Sequence, residues 1–164
     1  MTMSGSKIDV PKTAGRNRKI GIVVSRYHAE ITEDLLKASV ATLRAHGTEE
    51  KNIKIARVPG AFEIPLAAQT LLKNHKLDAV ICLGVVIKGE TPHNEYISRE
   101  VARGISMISL NTGIPVLFGV LTPNNPGQAR ARAGGDKGNK GAESAEAALA
   151  MIQLVEEIKT LERS

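Results

Sequence analysis

Aromatic residues are scarce in this sequence. Its 164 residues include two tyrosines, two phenylalanines and no tryptophan, so an aliphatic core is expected. Cysteine is scarcer still, because Cys82 is the only one. A single cysteine excludes an internal disulfide and a cysteine-based zinc site, and its position in an apolar run predicts a buried side chain. No apolar run reaches the roughly 18 residues that a membrane-spanning helix needs.

The net charge is small. Hydrophobic residues make up 42% of the chain and charged residues 24%, which is typical of a folded globular protein. Lysine and arginine number 22 against 17 acidic residues, and the excess lies near residues 7–19 and 130–140. The second cluster favours an anionic ligand. The modest charge, with no aromatics spread along a basic face, argues against nucleic-acid binding.

The length suits one domain of ordinary size. Residues 1–18 are polar and basic and contain no apolar segment of the secretory type. We therefore predict a flexible N-terminal arm over residues 1–18, a single domain over residues 19–164 and a cytoplasmic location.

Strand and helix patterns alternate along the chain. Short β-branched runs predict strands, and apolar residues at helical spacing predict helices. The predicted strands are residues 19–25, 52–58, 79–87 and 115–121, and the predicted helices are residues 32–46, 65–74, 95–111 and 142–161, with a short one near residues 126–133. This order predicts an α/β fold, a flavodoxin-like three-layer sandwich with a four-stranded parallel sheet and helices on both faces. The N-terminal arm could add an edge strand.

The loops after the strands are where a ligand is expected in such a sheet. Tyr27, Phe62 and Phe118 lie at or just after the predicted ends of strands one, two and four. Aromatics converging on one edge of the sheet suggest a flat heterocycle held by stacking. The alternative is that each ring simply fills a gap under a loop.

The loop after the third strand contains His93, our candidate acid/base residue. Its glycines free backbone amides and Thr91 offers a hydroxyl, which suits proton transfer beside an anion site. His46 and His75 follow helices and are expected to be solvated structural residues. His28 either lines the pocket or is merely exposed. No set of neighbouring ligands predicts a metal site.

Basic and acidic residues complete the candidate site. Arg132, Lys137 and Lys140 surround the glycine-rich segment at residues 134–141, which is either a phosphate cradle or a solvated loop. The phosphate-binding motifs of P-loop and dinucleotide-binding proteins are absent. Glu63 either accepts hydrogen bonds from a polyol or an amine, or is a surface carboxylate that starts a helix.

Five segments together resemble the lumazine synthase family of riboflavin biosynthesis. They are IGIVVSRYHAEIT, VPGAFEIPLAA, LGVVIKGETPH, PVLFGVLT and RAGGDKGNKGAE, and the likeness runs in order from about residue 19 to residue 158. The resemblance implies condensation of 5-amino-6-(D-ribitylamino)pyrimidine-2,4-dione with 3,4-dihydroxy-2-butanone 4-phosphate, which releases phosphate and water without a cofactor or a metal.

The resemblance also implies a role for each matching residue. His93 would be the catalytic proton shuttle, and Phe118 would close the pocket from a neighbouring subunit. The residues implied to bind the pyrimidine and its ribityl chain are Tyr27, Ala61, Phe62, Glu63, Val85, Val86, Ile87 and Phe118. The residues implied to bind phosphate are Glu90, Thr91, Arg132 and Lys140.

The sequence departs from the family pattern at a few positions. Glu90 is an acid where a small neutral residue is common, and Tyr27 replaces the usual Phe or Trp. His28 stands where Asn is common. Asp136 replaces a frequent lysine, and Lys137 follows it. We interpret these changes as adjustments of substrate affinity, because none of them alters His93 or Arg132.

The resemblance also concerns assembly. It implies a homopentamer with sites between subunits, in which Phe118 and Arg132 act across the interface. An icosahedral shell of pentamers is a further option, and riboflavin synthase is a candidate partner. Two alternatives to the enzyme remain: a non-catalytic protein that binds lumazine or flavin, and a shell-forming paralogue.

Overall fold

A computed structural model of the chain describes residues 8–161. Strands and helices alternate as predicted. The strands are β1 (Ile20–Ser25), β2 (Ile53–Val58), β3 (Ala79–Val85), β4 (Val116–Leu121), β5 (Ala133–Gly135) and β6 (Gly138–Asn139). The helices are α1 (Ala29–Ala45), α2 (Ile64–Asn74), α3 (His93–Thr112), α4 (Pro126–Ala131) and α5 (Lys140–Leu161), with single 3-10 turns at Glu50–Asn52 and Ala61–Glu63. None of these helices is long and apolar enough to cross a membrane.

The main sheet has four parallel strands in the order β2-β1-β3-β4. Strands β1 and β3 are buried along their whole length, because helices cover both faces. Alternate residues of β3 enter opposite cores: Ile81 and Leu83 pack with α1 and α5, whereas Val80 and Cys82 pack with α2 and α3. The flavodoxin-like three-layer sandwich is therefore confirmed.

Cys82 lies in the middle of β3, between Val23 of β1 and Phe118 of β4. Its side chain is fully buried, as predicted, and this burial raises the pKa of the thiol well above its ordinary value. A thiol kept neutral and out of solvent is a packing residue, not a nucleophile.

The chain before β1 packs against the domain from the first described residues onward. Val10 joins the core, and Arg18 donates hydrogen bonds to both carboxylate oxygens of Glu156 at 2.6 and 2.8 Å. This contact lowers the pKa of the Glu156 carboxyl. No strand occurs between residues 8 and 19, and residues 1–7 of the predicted arm lie outside the described part. The boundary at residue 18 stays a prediction.

His46 is buried rather than solvated, so that prediction is wrong. Its exposed fraction is 6%, and its Nδ1 lies 2.9 Å from the carbonyl oxygen of Thr42, which accepts the hydrogen bond. The chain before β1 covers it, because the amide of Gly15 donates to the His46 carbonyl at 2.8 Å. His75, at the end of α2, is exposed as expected.

The glycine-rich segment at residues 134–141 is not a loop throughout. It forms the antiparallel β5–β6 hairpin and the first residues of α5, two residues earlier than predicted. Asn139 explains the early start, because its Oδ1 accepts hydrogen bonds from the amides of Gly141 (2.8 Å) and Ala142 (3.3 Å).

Candidate active site

A cavity of about 840 Å³ lies at the carboxyl ends of β1, β2 and β3. This is where an open parallel sheet is expected to bind a ligand. The loops after β1 and β2 contribute four of the predicted residues, Tyr27, Ala61, Phe62 and Glu63. Its walls are mostly apolar, which suits a ligand with a flat, weakly polar body.

Aromatic rings converge at this cavity, but they are not the three predicted. Tyr27, Phe62 and Tyr96 line it, with exposed fractions of 67%, 60% and 65%. Phe118 does not line it, because it lies inside β4 opposite Cys82 and not at the end of that strand. The prediction that Phe118 lies at the end of its strand is therefore wrong, and its action in a neighbouring subunit's pocket stays a prediction.

The backbone turns sharply after Tyr27. His28 adopts a left-handed conformation (φ 59°), and its carbonyl accepts hydrogen bonds from the amides of Ile31 (2.9 Å) and Thr32 (3.0 Å), which starts α1 at Ala29. The rings of Tyr27 and His28 meet edge to face, with a centroid distance of 4.6 Å and an interplanar angle of 69°. His28 thus lines the cavity, and the large exposure of Tyr27 leaves its ring available for stacking.

Glu63 fits both interpretations of its carboxylate. One oxygen, Oε2, accepts a hydrogen bond from the amide of Gly60 at 3.0 Å, so the side chain holds the turn that leads into α2. The residue also lines the cavity. Because an ionised carboxylate accepts several hydrogen bonds, Glu63 has further capacity for a hydroxyl or an amine.

The loop after β3 is tied to the neighbouring strand. The amide of Val86 donates to the carbonyl of Leu121 at 2.8 Å, and the amide of Lys88 donates to that of Pro123 at 3.0 Å. The Val86 amide is therefore not available to a ligand, whereas the amide of Ile87 lies between these two anchors. Val85, Val86 and Ile87 all line the cavity.

Further along this loop, Gly89 and Thr91 line the cavity and Glu90 does not. Glu90 is exposed. The loop therefore places the Glu90 carboxylate outside the lining, although its two neighbours belong to it.

His93 is the first residue of α3 and lines the cavity. Its side chain is exposed, and no described residue forms a hydrogen bond to its imidazole. Tyr96, Ile97 and Glu100 follow on the same helix face at offsets of three, four and seven residues and also line the cavity. The sequence did not predict these three as site residues. Extending the predicted helix back to His93 would have found them.

Arg132 and Lys140 lie elsewhere in the chain, in a second cavity of about 390 Å³ beside the end of β4. Thr122, Gln128 and Glu143 share its lining. Among residues 8–161, no lysine or arginine lines the first cavity. Within a single subunit, the aromatic rings and His93 therefore lie in a different cavity from Arg132 and Lys140.

A family model described as 6,7-dimethyl-8-ribityllumazine synthase matches residues 17–156. The match covers most of the chain, including both cavities. The chain belongs to this family. Because the lumazine synthase family consists of transferases of riboflavin biosynthesis, the protein is an enzyme of that class.

The lumazine synthase segment Gly-Asn-Lys-Gly at residues 138–141 has structural reasons for each residue type. Gly138 has a positive φ of 82°, and the amide of Asn139 donates from Nδ2 to the Asp34 carbonyl at 3.3 Å. Gly141 meets the backbone of Leu35, where a side chain would overlap the carbonyl. Much of this segment therefore joins α5 to α1, and only Lys140 faces the second cavity.

Residues 8–161 contain no group of three or more histidine, cysteine, aspartate or glutamate side chains placed to hold a metal ion.

Proposed function

We propose that this lumazine synthase family member condenses 5-amino-6-(D-ribitylamino)pyrimidine-2,4-dione with 3,4-dihydroxy-2-butanone 4-phosphate. The products are 6,7-dimethyl-8-ribityllumazine, phosphate and water. The observation that carries the proposal is the first cavity, where exposed aromatic rings, the Glu63 carboxylate and His93 meet. A flat pyrimidine stacks on such rings, and a ribityl chain supplies hydroxyls for Glu63.

His93 is proposed to move the protons. The substrate amine attacks a ketone, the carbinolamine loses water, phosphate leaves and the ring closes, so protons are both given and taken. Histidine can do both near neutral pH. The imidazole makes no hydrogen bond within the described chain, which leaves both ring nitrogens free for the substrate. Stacking and orientation of the two substrates supply a further part of the acceleration.

Thr91 and the backbone around it are proposed to contact the butanone phosphate, with the Ile87 amide facing the pyrimidine edge. Glu90 is proposed to contribute through its backbone amide, because its neighbours Gly89 and Thr91 both line the cavity. A dianionic phosphate also needs cations, and the described residues that line the first cavity include no lysine or arginine. Arg132 and Lys140 are proposed to reach it from a neighbouring subunit.

We therefore propose a homopentamer in which each site is shared by two subunits. Phe118, exposed on the edge strand β4, would close the first cavity of the neighbour. A shell of pentamers, contact with riboflavin synthase and a cytoplasmic location are further parts of the proposal that follow from the family. Nucleic acid and membranes are not proposed as partners.

The decisive experiment mixes the purified protein with both substrates and follows lumazine absorbance and fluorescence against a protein-free control, because the uncatalysed reaction also proceeds. Acceleration supports the enzyme. Tight binding of lumazine or riboflavin without acceleration would instead support a non-catalytic carrier. An assembled shell that neither binds nor accelerates would support a structural paralogue.

Arg132→Ala should chiefly weaken binding of the phosphorylated substrate. Loss of a charge-assisted hydrogen bond at an exposed site is expected to raise the KM for that substrate by about tenfold, with a smaller change in the KM for the pyrimidine. Steady-state kinetics with each substrate varied in turn measure both. Arg44→Ala, which removes the same charge from the exposed face of α1, is the matched control. An unchanged KM in Arg132→Ala would move the phosphate site elsewhere.

A further inference from the structure

Tyr27 and His28 are consecutive residues whose rings touch, an arrangement that regular secondary structure does not produce. Consecutive side chains point to opposite faces of a strand, and consecutive residues of a helix do not face each other. The two rings meet because the backbone of His28 is left-handed, with φ 59° and ψ 50°. Within residues 8–161 this is the only contact between aromatic rings.

The left-handed backbone at His28 is unfavourable for a residue with a side chain, because Cβ crowds the following carbonyl oxygen. Asn17 is the only other non-glycine residue with a positive φ in the described part of the chain. Strained residues of this kind cluster at functional sites. The carbonyl of His28 starts α1, but that role needs only the backbone. The imidazole, which lines the first cavity, therefore has a purpose of its own.

The imidazole restrains Tyr27 through the ring contact rather than through charge. The edge-to-face arrangement is a favourable geometry for two aromatic rings. A charged neighbour, Glu30, has its Oε1 3.9 Å from Nδ1 of His28, which is too long for a hydrogen bond. The ring contact acts in either protonation state, whereas attraction to Glu30 needs a protonated imidazole. Because Tyr27 is 67% exposed, little other protein surface is left to hold its ring.

We propose that His28 is a positioning residue that holds the Tyr27 ring in the orientation in which it stacks on the pyrimidine. His28 acts through Tyr27 and takes no part in proton transfer. This inference rests on the proposed function for the identity of the stacked ligand. An exposed side chain moves between rotamers on the picosecond-to-nanosecond timescale, and a ligand that stacks on it must stop that motion. A ring already held in place binds its ligand with a smaller loss of entropy.

The first test needs no ligand. The chain has no tryptophan and two tyrosines, Tyr27 and Tyr96, so a Tyr96→Phe background leaves Tyr27 as the only source of tyrosine fluorescence. In that background, His28→Asn should cause a loss of residual anisotropy in the nanosecond fluorescence decay, because the ring moves more freely. Asparagine removes the imidazole but tolerates the left-handed backbone. His28→Gly, which is free at positive φ, should cause the same loss.

The second test separates positioning from a general structural role. His28→Asn should raise the KM for the pyrimidine about fivefold, the usual effect of losing one aromatic pair, with little change in kcat or in the KM for the phosphorylated substrate. Glu30→Gln removes the charge and keeps the ring contact, so it should leave this KM unchanged. His75→Asn replaces an exposed histidine outside the first cavity and is the matched control.

Two results would overturn the inference. One is a Tyr27 anisotropy that His28→Asn and His28→Gly both leave unchanged. The other is a rise in the KM for the pyrimidine in Glu30→Gln as large as that in His28→Asn, which would assign the effect to charge. The anisotropy is read from ligand-free protein, so it stands apart from the proposed reaction, which is judged by lumazine formation in the wild-type protein alone.

Discussion

His93→Ala should slow lumazine formation by about 10²–10⁴-fold, the usual contribution of one acid/base group. The side chain is exposed and makes no hydrogen bond to the described chain, so its removal takes nothing from the fold. We expect kcat to fall much more than substrate affinity, because the stacking rings and Glu63 remain. Stopped-flow or steady-state absorbance of lumazine measures the rate, and sedimentation velocity shows whether assembly is unchanged.

The matched control is His75→Ala. His75 is also an exposed histidine at a helix end, but it lies outside the cavity that contains His93. Its replacement should leave the rate unchanged. If His93→Ala kept full activity while remaining assembled, the proton transfers would have to be assigned to solvent or to another group, and Glu100 on the same helix face would be the first to replace.

Gly141→Ala should destabilise the protein severely, by about 3 kcal/mol or more. Helix propensity alone predicts the opposite sign, since alanine is favoured over glycine inside a helix by about 1 kcal/mol. Packing decides the matter. An added Cβ would lie 2.7 Å from the carbonyl carbon of Leu35 and closer still to its oxygen, and neither is a flexible side-chain end. Helix α5 would have to move away from α1, which opens the core on that face of the sheet.

Urea unfolding of the two proteins at equal concentration measures this difference. Gly89→Ala is a suitable control for stability, because a Cβ there meets nothing within 4 Å. Wild-type stability in Gly141→Ala would mean that the backbone of α1 yields at little cost. The close approach to the Leu35 carbonyl would then not be the reason that position 141 is a glycine.

The fold could be predicted from the sequence because two simple patterns agree throughout. β-branched runs alternate with helical spacing, and the run at β3 is apolar at every position, as a central parallel strand requires. The first residues of the helices were harder to predict. Helix α3 starts directly after Pro92, and helix α5 starts where the Asn139 side chain accepts a hydrogen bond from the Gly141 amide. Hydrophobic spacing does not reveal either of these local features.

The candidate site was predictable where it follows directly from the sheet. Tyr27, Phe62 and the loop after β3 come from strands whose carboxyl ends meet, so their convergence needs no tertiary detail. Tyr96 and Glu100 lie within the predicted helix at residues 95–111, but site residues were expected only in the loops after the strands, so the helix face that continues from His93 was not included. The position of Arg132 in a second cavity does not follow from strand order or hydrophobic spacing, and its action across a subunit interface was expected from the family resemblance alone.

The solitary thiol of Cys82 has a practical consequence. It lies in the central strand with no exposed surface and cannot ionise readily where it is. A thiol-reactive dye can therefore modify it only after the sheet itself has opened. The rate of labelling in native buffer reports how often that opening occurs, at a single position and without any engineered probe. Cys82 is thus a native probe of how often the central sheet opens.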